Sequence, residues 1–175
     1  VPGTNGTTPL VQANYLGASP AQTGMHALDV VDLFNLMVIP SDEALPESVR
    51  ETLWAPASNY CQSRRAFLLV DAPIGWTDAN GRPVVTGTTS MVDNLRLGLA
   101  KNNAGVFYPR LTYNKAGLVA KIGASGAVAG LIARTDSTRG AWKAPAGIEA
   151  DIREVLGVDV KLTDTENGVL NKKGV

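Results

Sequence analysis

Residues 123–147 read GASGAVAGLIARTDSTRGAWKAPAG, and the rest of the chain is organised around them. The stretch opens as a turn. Ser125 is a candidate N-cap, because its hydroxyl can accept an orphan first-turn N–H. Ala127 to Ala133 are apolar or small on every side, the pattern of a helix buried all round. Gly126 and Gly130 stand four apart on one face, where another backbone could come close. Then Arg134, Asp136, Arg139 and Lys143 follow within ten positions, with Trp142 among them. A buried helix that ends in a charged, aromatic-bearing loop is a strut carrying a contact surface. The loop residues Arg134, Asp136, Arg139, Trp142 and Lys143 fit either an interface or an internal ion-pair network.

On both sides of this stretch, apolar strands alternate with helices. Phe34 to Ile39 is a short apolar run closed by Pro40, as in a buried strand. Pro46 suits a first helical turn, and Val49, Leu53, Ala57, Tyr60 and Cys61 follow at helical spacing. Pro56 falls inside that helix, which predicts a kink or two consecutive helices. Ala66 to Val70 is a second strand, ending at Asp71. Thr88, Thr89 and Ser90 are candidate caps for a helix carrying Met91, Val92, Leu95 and Leu99. Val106 to Tyr113 is a third strand, bent or ended near Pro109. Pro145 opens a helix with Ile148, Ile152, Val155 and Leu156 inward. Val158 to Leu162 is a short strand, and Thr163 with Glu166 forms a capping box for a last helix. Crossovers of this kind imply a mostly parallel sheet covered on both faces, an α/β three-layer (α-β-α) domain. Residues 1–24, rich in Gly, Thr, Pro and Ala, read as a loop or extended arm held by Tyr15 and Leu16, and residues 25–175 as the domain.

Composition excludes several classes. Sixteen basic and sixteen acidic residues cancel, so there is no bulk electrostatic grip on nucleic acid or an acidic membrane. One cysteine and one histidine rule out a Cys/His metal cluster. No apolar run approaches the ~18 residues that a membrane helix needs. The start, VPGTNGTTPL, has neither the charged nor the apolar region of a signal peptide and no Met, so both ends read as cuts in a longer chain. Chemistry is sparse. His26 adjoins no Gly-x-Ser-x-Gly elbow, and Cys61 lies on the apolar side of a helix. GASGAVAG lacks the Lys-Ser/Thr of a phosphate loop, so no cofactor is expected. Asp71 stands where a doubly wound enzyme would keep a carboxylate, but capping or ion pairing is the plainer role. An enzyme or small-ligand binder using the strand ends near Asp71 and Ser125 is the competing reading.

The ordered motifs also carry a resemblance. YPRL at 108–111, SGAVAG at 125–130, ARTD at 133–136, RGAWKAPAG at 139–147, LTDTE at 162–166 and LNKKG at 170–174 stand in the order found in contractile tail sheath proteins of phages and related injection machines. ALDVVDLFNLMVIP at 27–40 fits as well, and residues 74–90 fit least. The resemblance implies the α/β, subtilisin-like-fold part of a sheath subunit, with no catalytic triad. It implies a structural protein of a virion tail or injection machine, made in the bacterial cytoplasm. Its partners would be other sheath subunits in helical rings and an inner tail tube, which contraction drives through a target envelope. That family links neighbours by exchanging terminal strands, so this piece alone is expected to be monomeric.

Overall fold

The computed structural model describes residues 10–40, 45–87 and 90–175. In chain order these residues form α1 (Gln12–Leu16), β1 (Leu36–Val38), α2 (Glu47–Arg64), β2 (Phe67–Asp71) and α3 (Ser90–Leu97). Then come β3 (Ala104–Phe107), β4 (Leu111–Lys115), β5 (Leu118–Ile122), α4 (Ser125–Arg139), β6 (Gly157–Val158) and α5 (Asp164–Asn171). The arm therefore contains a five-residue helix, whose Tyr15 and Leu16 pack against the core. Its first nine residues, like the candidate caps Thr88 and Thr89, lie outside the described residues.

The apolar runs behave as their sequences require. β1, β2 and β3 form a parallel sheet in that order, with Leu36 opposite Phe67 and Val70 opposite Val106. Leu68 to Asp71 are all buried, as a central strand of a parallel sheet must be. α2 supplies Leu53, Trp54, Ala57, Tyr60 and Cys61 to the core, which also gathers Trp76, Val92 and Leu170. Apolar burial of this kind, ~25 cal/mol per Å², is the main term holding the fold together.

Pro56 does not break α2, which runs as one helix of 18 residues. The carbonyl that a proline leaves without a helical donor is that of residue i−4, here Thr52. Gln12 Nε2 donates to that oxygen at 3.3 Å, so α1 repairs the gap. At the far end Arg65 takes a left-handed conformation at φ 55°, and Arg64 turns back over Phe34 and Tyr60. There its Nη1 donates to Leu28 O at 2.9 Å, tying the 3-10 turn Gly24–Val30 to α2.

The second half departs from the mostly parallel expectation. The run from Val106 to Tyr113 divides into β3 and β4 around Pro109, and β5 pairs antiparallel with β4. Ala116 and Gly117, at φ 52° and 87°, make the tight turn between them. Asn114 Oδ1 accepts the Gly117 N–H at 2.8 Å and locks it. β6 joins the other edge of β4, giving a separate antiparallel sheet in the order β5-β4-β6. The architecture is thus mixed α/β with one parallel and one antiparallel sheet.

Residues 145–156 form turns, not the expected helix. Gly147 and Glu154 have φ of 92° and 61°, which a helix cannot contain. The carbonyls of Glu149 and Asp151 accept from the Arg134 side chain instead of from a helical N–H. Ile148 is fully exposed and Leu156 is exposed. α4 too differs from its reading. It packs against β1 and β2, but Ser125 is its one buried residue, and Gly126 and Gly130 face open space. Its small residues therefore cover one side only. The capping box of α5 is present, Thr163 Oγ1 accepting from Glu166 N and Glu166 Oε2 from Thr163 N.

Candidate functional site

Two arginines in the last turns of α4 form a surface ion-pair network that closes the 140–153 loop onto the helix end. Arg134 Nη2 donates to Asp151 O at 2.5 Å and to its carboxylate at 3.0 Å. Arg139 grips Glu149 through two nitrogens, with Nε 3.0 Å from Oε2. That pairing holds the Glu149 carboxyl below the usual carboxylate range and raises the Arg139 guanidinium further. Lys143 Nζ donates to the carbonyls of Ala144 at 2.9 Å and Ala146 at 3.3 Å. Exposed pairs of this sort add little stability. What they do is fix the course of a loop without regular structure.

Asp136 and Trp142 stand apart from the network. Asp136 is exposed, and its carbonyl accepts the Gly140 N–H at 3.0 Å. Trp142 is 83% exposed, with its ring folded back along Gly140. A Cβ at Gly140 would lie 2.6 Å from Trp142 Nε1 and would displace the ring, and the φ of 92° favours glycine there. The partners Glu149 and Asp151 were missed in the sequence, because that segment carried a helical spacing.

The crevice between β2 and α4 does bring Asp71 and Ser125 together. The Ser125 N–H donates to Asp71 Oδ1 at 2.8 Å in a buried contact. The helix is thus capped from another strand, and its N-cap position is Ala124, one residue before the expected Ser125. A carboxylate is the stronger partner for the positive end of a helix dipole. Gly123 makes the approach possible: a Cβ there would sit 2.1–2.3 Å from the Asp71 carboxyl atoms. The anion seat of GASGAVAG is therefore filled by the protein's own carboxylate. Beside it lies a cavity of ≈390 Å³, walled mainly by apolar groups such as Val38, Leu111, Ile122 and Val155.

The potential nucleophiles and bases are also engaged. Asp29 accepts from Tyr60 Oη at 2.6 Å, Ser19 Oγ at 3.2 Å and His26 Nδ1 at 3.0 Å. The Tyr60 hydrogen bond leads in holding the Asp29 carboxyl low. Serine, histidine and aspartate meet here, but Ser19 bonds to the aspartate and not to the imidazole. A hydrolytic triad needs the serine on the histidine. Cys61 is buried against Met37, and burial pushes its thiol up to about 11, far from a thiolate at neutral pH. Among the described residues no group of three His, Cys, Asp or Glu could hold a metal ion, and no helix is long and apolar enough to cross a membrane.

Among solved structures, the chain is similar to the helical sheath of the anti-feeding prophage in its contracted state, determined by cryo-EM. The TM-score is 0.57 at 25% identity, over 85% of this chain and 36% of that one. The chain thus spans little more than a third of the length of that sheath protein. No family model matches the chain, and no curated protein matches it. The likeness covers most of this chain, and it supports a sheath-like structural protein.

Proposed function

We propose that this chain is the α/β part of a contractile sheath subunit, with the three-layer, subtilisin-like arrangement of that family. The observation that carries the reading is the likeness to the anti-feeding prophage sheath over 85% of the chain. The ordered motifs from YPRL to LNKKG point the same way from the sequence alone. In this reading, copies stack in helical rings around an inner tube of a tail or injection machine, and contraction drives the tube through an envelope. The work comes from a bistable packing of subunits and needs no cofactor or hydrolysis. The engaged states of Asp29, Cys61 and Asp71 support a structural role over the enzyme alternative.

The end of α4 and the loop after it, with Arg134, Asp136, Arg139, Trp142 and Lys143, are then a preformed contact surface, with Trp142 its outward anchor. Electron microscopy of the protein purified from its native host tests the function: hollow helical tubes are expected, and a small discrete oligomer from the same preparation overturns it. The 175-residue chain alone should be monomeric in light scattering at micromolar concentration. Rings or tubes formed by it alone would place the lattice contacts inside this domain.

A further inference from the structure

A cleft of ≈360 Å³ lies between the start of α2 and the base of the β4–β5 hairpin. Three cations and two carboxylates line it: Arg50, Arg110, Lys121, Glu47 and Asp71. Each carboxylate has one oxygen engaged by the main chain. Asp71 Oδ1 takes the Ser125 N–H at 2.8 Å, and Glu47 Oε1 takes the Ile74 N–H at 3.0 Å. The Arg50 side chain is 7% exposed, and its Nε is fully buried with no hydrogen-bond partner among the described residues. Its Nη1 comes only to 3.7 Å of Glu47 Oε2, beyond hydrogen-bond length. Across the cleft, Arg110 and Lys121 share one buried carboxylate, Asp159, at 2.8 and 3.8 Å, so Lys121 has charge to spare.

A buried guanidinium short of acceptors is costly, and such a group calls for an explanation beyond the fold. We propose that the cleft is a receptor for one carboxylate, bound between the Arg50 guanidinium and the Lys121 ammonium. A carboxylate carries one charge and two coplanar oxygens, which suit the flat edge of a guanidinium. Inorganic phosphate carries about one and a half charges at neutral pH, so Glu47 and Asp71, which line the same cleft, repel it more. The site thus selects a carboxylate, free or on an acidic side chain of a second copy. The assignment does not depend on the sheath reading.

The test is a titration of the protein with acetate and, separately, inorganic phosphate, followed by the ¹⁵N–¹H resonances of arginine Nε. One arginine Nε–H, identified as Arg50 by its loss in Arg50→Lys, should shift saturably with acetate, and phosphate should bind about tenfold more weakly. Lys121→Ala, at an exposed position, should weaken acetate about tenfold, the loss of one charge-assisted contact. Glu47→Gln should tighten it, which a purely structural Arg50 would not predict. The dependence of the same resonance on protein concentration, without acetate, identifies the source. A shift that grows with concentration assigns the carboxylate to a second copy, and a constant position assigns it to a free ligand. No shift of the Arg50 resonance with acetate, or equal response to acetate in Lys121→Ala, overturns the proposal.

Discussion

Asp71→Ala should separate the cap of α4 from everything else in the crevice. The substitution removes the 2.8 Å hydrogen bond and leaves the buried Ser125 N–H without an acceptor. An orphaned buried donor costs about 1–3 kcal/mol. Loss of negative charge at the helix start adds roughly 0.5–1 kcal/mol. The expected destabilisation is therefore about 2–4 kcal/mol, whereas Asp71→Asn keeps an acceptor oxygen and should cost about 1 kcal/mol. Gly123→Ala attacks the same contact from the other side. Its Cβ would fall 2.1 Å from Asp71 Cγ, so the carboxylate must leave its seat. In the Asp71→Ala background that obstacle is gone. The two substitutions should therefore be strongly non-additive in a urea-unfolding double-mutant cycle, with a coupling of about 1–3 kcal/mol. If Gly123→Ala costs the same with and without Asp71, the glycine is serving some other contact and the reasoning fails.

Gly130 faces open space in α4, so Gly130→Ala should stabilise by about 0.5–1 kcal/mol, read as a higher urea midpoint; a lower midpoint would mean that something packs there. Cys61, the only cysteine, should resist Ellman's reagent at pH 8 in the native protein and react fully in denaturant, since burial raises its thiol to about 11. Asp29 has a lowered pKa, so its contribution is present above its unfolded pKa and is lost as pH falls through the lowered folded value. Asp29→Asn should flatten the acid limb of the stability–pH profile, and an unchanged limb would refute this.

The parallel sheet was legible because its strands are short apolar runs with hard stops. Phe34 to Pro40 and Ala66 to Asp71 announce themselves, and β1 and β2 fall inside them. The hairpin was missed for a local reason. The reading of Val106 to Tyr113 as one strand, bent or ended near Pro109, stops short of the Asn114 to Gly117 turn that sets up β5. Residues 148–156 misled in the opposite sense. Ile148, Ile152, Val155 and Leu156 have helical spacing, but spacing is only a tendency until a surface takes up the apolar face. Here Arg134 claims the main-chain acceptors, and Gly147 and Glu154 turn the chain out of the helical region. Half of the crevice was visible as well: a capping role for Asp71 followed from its position at a strand end. Its partner, 54 residues along the chain, could be placed only by the fold.

The distribution of engaged and open groups is itself an argument about function. Catalysis needs polar groups held ready but not consumed, and a cleft to concentrate a substrate upon them. In this chain Asp29 takes hydrogen bonds from Tyr60, His26 and Ser19, Asp71 caps a helix, and Cys61 is sealed against Met37. The groups left outward are of another kind. Leu118 and Val119 on the hairpin, Trp142 and Ile148 on the loop, and Leu156 before β6 are all exposed. These five lie on or beside the antiparallel sheet and the loop that the arginine network holds, while Val30, Leu33 and Leu97 are exposed elsewhere. Exposed large apolar groups on a fixed framework suit association between protein surfaces better than chemistry. A substitution such as Trp142→Ala or Leu118→Ser should therefore leave the unfolding midpoint of the isolated chain nearly unchanged, while weakening assembly of the protein in its host. If instead these variants unfold readily, the exposed groups belong to this domain's own packing, and the division between a tied interior and a contact-bearing exterior would have to be abandoned.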